Sequence, residues 1–270
     1  MVEWRVYGCG SPSSIRSLQS SYEVVEGETR LQIDFGNGAL YRRCCIEKEI
    51  EAALNPIRHL VISHCHPDHM AELMRLYVAY KYTPEYIPKQ KVTLYGTQTT
   101  LAGVQQMLDH VRLEGSFVDI FTPREIVPDR PFSVGSLTVT PFPTHHIEGT
   151  VGLRIQTASG KQIVYTSDTG FQEDLYTKLK SADLLVSECS FTDRVTPYHL
   201  TLRQVAQIVN TVQPAAILLI HFYPDMERMS IEAIQAVIRP SGSHTVHVAQ
   251  DGLVLEADPT SAQWNTRRMF

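Results

Sequence analysis

Ser63-His64-Cys65-His66-Pro67-Asp68-His69 puts three imidazoles and a carboxylate within six positions. Neutral imidazole and carboxylate are preferred donors for zinc and for several other divalent ions. His64 and His66 are two apart, so an extended segment aims both rings at one point. Asp68 and His69 follow a turn that Pro67 helps to set, and they face a second point close by. Two metal ions suit this spacing better than one. A polar loop carrying accidental histidines is the plain alternative, and it accounts for one histidine far better than for four adjacent donor residues.

The elements around this stretch must deliver it. Leu60-Val61-Ile62 directly precedes it and reads as a buried strand running into a loop. The carboxyl ends of strands are where α/β sheets place their chemistry. The same design recurs along the chain. Thr29–Asp34, Gln162–Asp168, Asp183–Glu188 and Ala215–His221 each read as strands ending in an acid or a histidine, and His145-His146 lies between strands at 138–142 and 151–156. Donor residues recurring at strand ends imply one shared site. Further strands are expected at Val2–Tyr7, Ser21–Val25, Val92–Gly96, Thr245–Ala249 and Gly252–Ala257. Helices are expected at Ile46–Leu54, Ala71–Tyr82, Thr99–His110, Thr201–Val212 and Ile231–Ile238, and the tail from Asp258 shows no pattern.

The 270 residues, 43% of them hydrophobic, suit a single large α/β domain spanning 1–270. A net charge of −5 gives no global basic field for nucleic acid. Five scattered cysteines do not resemble a disulfide framework and point to a reducing, cytoplasmic setting. Met1–Arg5 has no basic start leading into an apolar signal core, and no run approaches the roughly 20 apolar residues of a membrane helix.

These motifs resemble the metallo-β-lactamase superfamily, and within it the branch of ribonuclease Z and related phosphodiesterases. Gly8-Cys9-Gly10-Ser11 is similar to the opening loop of that branch and Asp34 to the early aspartate of the superfamily. His64, His66, Asp68 and His69 match its HxHxDH signature, His146 its third motif, Asp168 its bridging aspartate and His221 its last ligand. Glu188 in Ser187-Glu188-Cys189-Ser190-Phe191 and His199 in Tyr198-His199-Leu200-Thr201 resemble two further elements of the ribonuclease Z branch. The resemblance implies an α/β fold, a four-layered αββα sandwich. It implies two divalent ions, zinc first, with manganese or iron also suited. His64, His66 and His146 would hold one, Asp68, His69 and His221 the other, and Asp168 would bridge them together with a water or hydroxide that acts as nucleophile. Asp68 would also orient the attacking water, and His199, supported by Glu188, would protonate the leaving oxygen.

Some assignments stay open on the sequence. His145 competes with His146 as third-motif ligand, His199 could cap a helix region, and Asp34 reads as a support residue more than a ligand. Arg16 could meet a substrate phosphate or form a structural ion pair. His146 and Asp168 are only 22 positions apart, too few for the tRNA-gripping arm of ribonuclease Z. The expected substrate is therefore a small phosphodiester. Precursor tRNA and other RNA are less favoured partners, and lactones, thioesters and sulfate esters are the alternative bonds. A di-iron redox protein on the same fold is a remote reading, because those relatives replace the second motif histidine, here His66, with a carboxylate. A homodimer is left open.

Overall fold

The computed structural model describes residues 1–83, 90–111, 116–238, 244–258, 260–261 and 263–270. In chain order the elements begin with β1 (Val2–Gly8), β2 (Ser21–Glu26), β3 (Thr29–Ile33), α1 (Ala39–Glu47), α2 (Ile50–Leu54), β4 (His59–Val61), α3 (Pro67–Met70) and α4 (Leu73–Tyr82). β5 (Val92–Gly96), α5 (Gln98–His110), β6 (Phe121–Glu125), β7 (Phe132–Val134), β8 (Leu137–Pro143), β9 (Val151–Gln156) and β10 (Gln162–Tyr165) come next. The chain closes through α6 (Leu175–Lys178), β11 (Leu184–Glu188), α7 (Leu202–Val212), β12 (Ala216–Ile220), α8 (Pro224–Glu227), α9 (Ile231–Ile238), β13 (Thr245–Val248), β14 (Leu253–Ala257) and β15 (Asn265–Arg268).

The strands form an eight-stranded sheet, β15-β14-β1-β2-β3-β4-β5-β6, and a seven-stranded one, β13-β12-β11-β10-β9-β8-β7. Each has a parallel half: β3 to β6 in the first and β10 to β13 in the second. Inner parallel strands such as β11 and β12 are buried on both faces, which is why they read as unbroken apolar runs rather than alternating ones. The period of two is still there, sorted by layer. Leu184 and Val186 of β11 and Leu218 and Ile220 of β12 face the other sheet, where they join Trp4, Tyr22, Leu31, Leu153 and Tyr165. Leu185, Ile217 and Leu219 point the other way, onto Val205, Ile208 and Val209 of α7 and Ile234 and Ile238 of α9. Leu60, Ile62 and Leu94 do the same on the first sheet, against Leu40, Leu73, Leu76, Val104 and Leu108 of its helices. Two sheets face to face with helices on both outer surfaces make the αββα sandwich expected from the sequence. Among the described residues no helix is long and apolar enough to cross a membrane.

One helix and three strands differ from expectation. The helix expected over Ile46–Leu54 is two: α1 begins earlier, after Gly38, and stops at Lys48, whose left-handed φ of 62° breaks it before α2. The stripe of α1 was hidden because one of its buried positions is Arg43. β6, β7 and β15 are short edge strands. Four of the five β6 residues and all of β15 are exposed, so the apolar alternation that marks a strand is missing from both.

Arg43 is buried through an ion pair with Glu23 at 2.8 Å, a hydrogen bond to Gln32 Oε1 at 2.5 Å, and the Tyr7 ring 4.1 Å from its guanidinium. Burial by itself would raise the Glu23 pKa, but the guanidiniums of Arg43, Arg30 and Arg5 outweigh it and hold the carboxyl below its usual range. Removing one partner of a buried pair leaves an uncompensated charge, so Glu23→Gln is expected to cost about 3–5 kcal/mol in urea unfolding at neutral pH. Because the folded pKa is lowered, this contribution is complete above the usual carboxylate range and is lost as pH falls through the folded value. The stability gap between wild type and variant therefore narrows in acid, and a gap that widens there would refute the pairing.

Candidate metal centre

The carboxyl ends of β3, β4, β10, β11 and β12 meet along one edge of the sandwich, and the β8–β9 turn reaches the same edge because β9 runs antiparallel to β10. Three of these ends turn through left-handed residues other than glycine: Asp34 (φ 55°), Ser167 (φ 54°) and His221 (φ 62°). Such backbone is unfavourable for a side chain and persists where its surroundings enforce it. Here the His221 N–H donates to the Cys9 carbonyl at 2.8 Å and the Asp34 N–H to the Val61 carbonyl at 2.8 Å. Gly36 has to be small, since a Cβ there would lie 2.1 Å from the Asp68 carbonyl oxygen. That close approach lets the Phe35 N–H reach the His69 carbonyl at 2.6 Å and fixes the turn bearing Asp68 and His69.

The donor atoms gather into overlapping groups: His64, His66, His146 and Asp168 in one, Asp68, His69, Asp168 and His221 in another, the atoms of each lying within 4.8 Å of one another. Asp168 belongs to both. Its Oδ2 is 3.7 Å from His64 Nε2, 3.7 Å from His146 Nε2 and 3.5 Å from His221 Nε2, and its Oδ1 is 3.5 Å from His69 Nε2. These gaps are long for hydrogen bonds. They are close to the roughly 3.3–3.5 Å that separates two donors bound tetrahedrally to one zinc ion. Two neighbours are nearer: His221 Nε2 to Asp68 Oδ2 at 3.0 Å and His146 Nε2 to His66 Nδ1 at 2.9 Å.

The far nitrogens show that the rings are aimed. Asp34 takes hydrogen bonds from the Ser63 N–H (2.7 Å), the Ser63 hydroxyl (2.9 Å) and the Tyr165 hydroxyl (2.7 Å), and lies 2.8 Å from His69 Nδ1. Ser63 Oγ is also 3.1 Å from His64 Nδ1. With Nδ1 occupied, Nε2 of His64 and of His69 are buried and have no hydrogen-bond partner among the described residues. Buried polar nitrogens are normally satisfied. Two left bare and aimed at a shared carboxylate fit a divalent cation, with Asp34 and Ser63 setting tautomer and orientation from behind. His146 is oriented likewise, its Nδ1 lying 3.1 Å from the Tyr198 carbonyl oxygen. His145 is half-exposed and lies 3.8 Å from Asp174, outside both groups.

Electrostatics agree with the packing. Burial, followed by neighbouring His69, pushes the His64 pKa well below its usual value. Burial would raise the Asp168 pKa, yet His221 and His69 carry it well below the carboxylate range. Beside the donor groups Glu188 Oε1 accepts from the Thr169 N–H at 2.6 Å and lies 3.2 Å from His199 Nδ1. Its Oε2 accepts from the Ser190 hydroxyl at 2.6 Å and the Leu200 N–H at 3.2 Å. Burial lowers the His199 pKa, but Glu188, Asp168 and Asp68 outweigh that and push it up to about 9. The helix cap is Thr201, which closes a capping box with Gln204, so His199 is free of that task. Arg16 is exposed and borders a separate cavity of about 450 Å³ that contains none of the clustered histidines.

Two mixed sheets with a histidine- and aspartate-lined edge define a metal-binding hydrolase scaffold. Residues 31–222 match the model of the beta-lactamase superfamily domain, and the chain belongs to the metallo-β-lactamase superfamily. The probable metallo-hydrolase YhfI of Bacillus subtilis is 27% identical over 222 residues, 80% of this chain and 85% of its own. Its crystal structure covers 94% of this chain and 98% of its own at TM-score 0.77 and 21% identity. A diphosphatase from the PhnP family matches 96% of this chain and 98% of its own at TM-score 0.73 and 18% identity. The short form of human tRNase Z matches 94% and 98% at TM-score 0.70 and 17% identity.

The support given by Asp34 is open to test. Asp34→Asn tolerates the left-handed backbone but presents a donor where an acceptor is needed. Each group left unpaired among Ser63, Tyr165 and His69 is expected to cost about 1–3 kcal/mol. Urea unfolding of the variant measures the loss, and an unchanged midpoint would show that this network contributes nothing.

Proposed function

We propose that the chain is a metal-dependent phosphodiesterase acting on small diesters. The observation that carries this reading is the Glu188–His199 pair, standing beside the two donor groups that share Asp168. His64, His66 and His146 would hold one divalent ion, Asp68, His69 and His221 a second, with Asp168 between them. The nitrogen-rich donor set favours zinc, and manganese or iron is accommodated by the same atoms. When bound, such a pair supplies Lewis acidity that polarises the ester and lowers the pKa of water.

The protein's own groups would do the rest. Asp68 orients the attacking water. His199, held by Glu188 through Nδ1, keeps a proton on the ring to give to the leaving oxygen, and its raised pKa keeps that proton in place at neutral pH. A diester needs this donor, because its departing alkoxide is a poor leaving group without a proton. The diphosphatase and tRNase Z likenesses support phosphoryl chemistry as the class. The 21 residues between His146 and Asp168 are largely taken up by the β8–β9 turn, β9 and β10, which supports a small substrate over a gripped RNA.

Metal analysis of the purified chain, followed by assays on bis-p-nitrophenyl phosphate, cyclic nucleotides, precursor tRNA and lactones, tests the reading. Two ions per chain and activity lost to a chelator are expected, with diesters preferred. His146→Ala is expected to lower metal content and abolish turnover, whereas His145→Ala leaves both intact. His199→Ala is expected to keep its metal and lose about 10²–10⁴-fold in kcat. Faster cleavage of precursor tRNA or lactones than of diesters would overturn the substrate class.

A further inference from the structure

Beside the donor groups is a cavity of about 270 Å³, whose walls include His66, Asp68, Asp168, His199 and, across from them, Tyr223. Four of these have a part in the chemistry above; Tyr223 has none. It sits two positions after His221, where β12 has ended and α8 begins, as the N-cap residue of that helix. Its N–H donates to the Ser190 carbonyl at 3.2 Å. Its ring is packed against Phe191 (4.6 Å between centroids), His199 (5.8 Å) and His221 (5.9 Å). The start of α8 is pinned in turn, because Asp225 accepts from both the N–H and the hydroxyl of Thr192 at 3.0 Å. The ring is therefore held on three sides. Its hydroxyl, by contrast, has no hydrogen-bond partner among the described residues.

A rigid ring on the wall of this cavity, carrying a hydroxyl that no described residue engages, is a preorganised donor. The contrast with other tyrosines sharpens the point. Tyr7 and Tyr165 are also packed tightly, but their hydroxyls are used up on Glu23 and Asp34. Tyr198, near the same edge, is half-exposed and is absent from the cavity wall. Every other charged or titratable group on that wall is an imidazole or a carboxylate. The two aspartates can only repel an anionic phosphoryl group, and His199 is committed to the leaving oxygen. Two neutral donors are left on that wall, the Gln19 amide, whose oxygen accepts from the Asn37 N–H, and the phenol, whose ring packs against His199; a phenol stays protonated at neutral pH.

We propose that Tyr223 is a catalytic residue that donates a hydrogen bond from its hydroxyl to a non-bridging oxygen of the substrate's phosphoryl group. This rests on the phosphodiesterase reading above and assigns a role on the same site. The attacking water gives one proton to solvent as its oxygen bonds to phosphorus; as the bond to the leaving oxygen breaks, His199 gives its proton to that oxygen and Tyr223 keeps its own. Negative charge accumulates on the non-bridging oxygens, so a fixed donor there is worth more to the transition state than to the bound substrate.

Tyr223→Phe removes the hydroxyl and keeps the ring. It is expected to lower kcat for bis-p-nitrophenyl phosphate by about 10²-fold, the usual cost of losing one such donor, with little change in KM. Metal content and thermal midpoint should match wild type. Because the donor serves the non-bridging oxygen, the loss should be equal for diphenyl phosphate, whose leaving group is the poorer one. The loss on His199→Ala should be larger for diphenyl phosphate, since that group needs the proton more. Inorganic vanadate, a stand-in for the five-coordinate phosphorus, should bind the Tyr223→Phe protein more weakly than wild type by calorimetry, a readout independent of turnover. Phe191→Leu, which loosens the ring without removing the hydroxyl, should lose less in both measurements. A Tyr223→Phe enzyme that matches wild type in turnover and vanadate affinity overturns the proposal, as does a loss that follows the leaving group in the manner of His199→Ala. A wild-type protein that holds its metal and cleaves no diester removes the underlying reading, and this proposal with it.

Discussion

The carboxylate of Asp168 is buried among His64, His69, His146 and His221, and the geometry of the edge follows from the need to compensate it. An ionised carboxylate taken out of water is costly unless opposite charge or donors surround it. No one segment of the chain can provide that shell. The first sheet sends His64 and His69 from the end of β4, and the second sends His146 and His221 from the β8–β9 turn and the end of β12. The two sheets must therefore meet in a single relative position, which the aromatic packing of Trp4, Tyr22 and Tyr165 helps to set, with ring centroids 5.5–5.9 Å apart.

Tyr165 links that core to the site, because the ring that packs between the sheets carries the hydroxyl that steadies Asp34. Glu188 makes a second link of this kind. One of its oxygens holds the Thr169 N–H, immediately after Asp168, and also faces His199. The positions of the Asp168 carboxylate and of the His199 ring are thus tied to one buried group. A displacement of Glu188 moves both together.

Much of this was readable in the chain, and for a physical reason. Parallel strands buried on both faces leave dense apolar runs, and the polar residue that ends each run stands out; Asp34, His64, Asp168, Glu188 and His221 were visible that way. His146 could not be told from His145, since both are in a turn without periodicity, and only the backbone direction after Pro143 turns one ring inward. α1 escaped because the stripe that would mark it includes Arg43, whose charge is neutralised by a residue twenty positions earlier in the chain. β6 and β15 escaped because edge strands have few buried positions. Tyr223 carries no motif. An aromatic residue two positions after a strand end is ordinarily packing, and its free hydroxyl exists only in three dimensions.

The left-handed turns at Asp34, Ser167 and His221 have a further consequence for how this edge can change. The Ser167 hydroxyl is buried without a hydrogen-bond partner among the described residues, so its side chain is not what holds the position. Conformation is the constraint there, and glycine or asparagine can follow it where valine or isoleucine cannot. A position that touches nothing reactive is thereby as restricted in its alphabet as its reactive neighbour. Variation in substrate preference has to enter through the surrounding loops, where the backbone is ordinary and side chains can be exchanged freely.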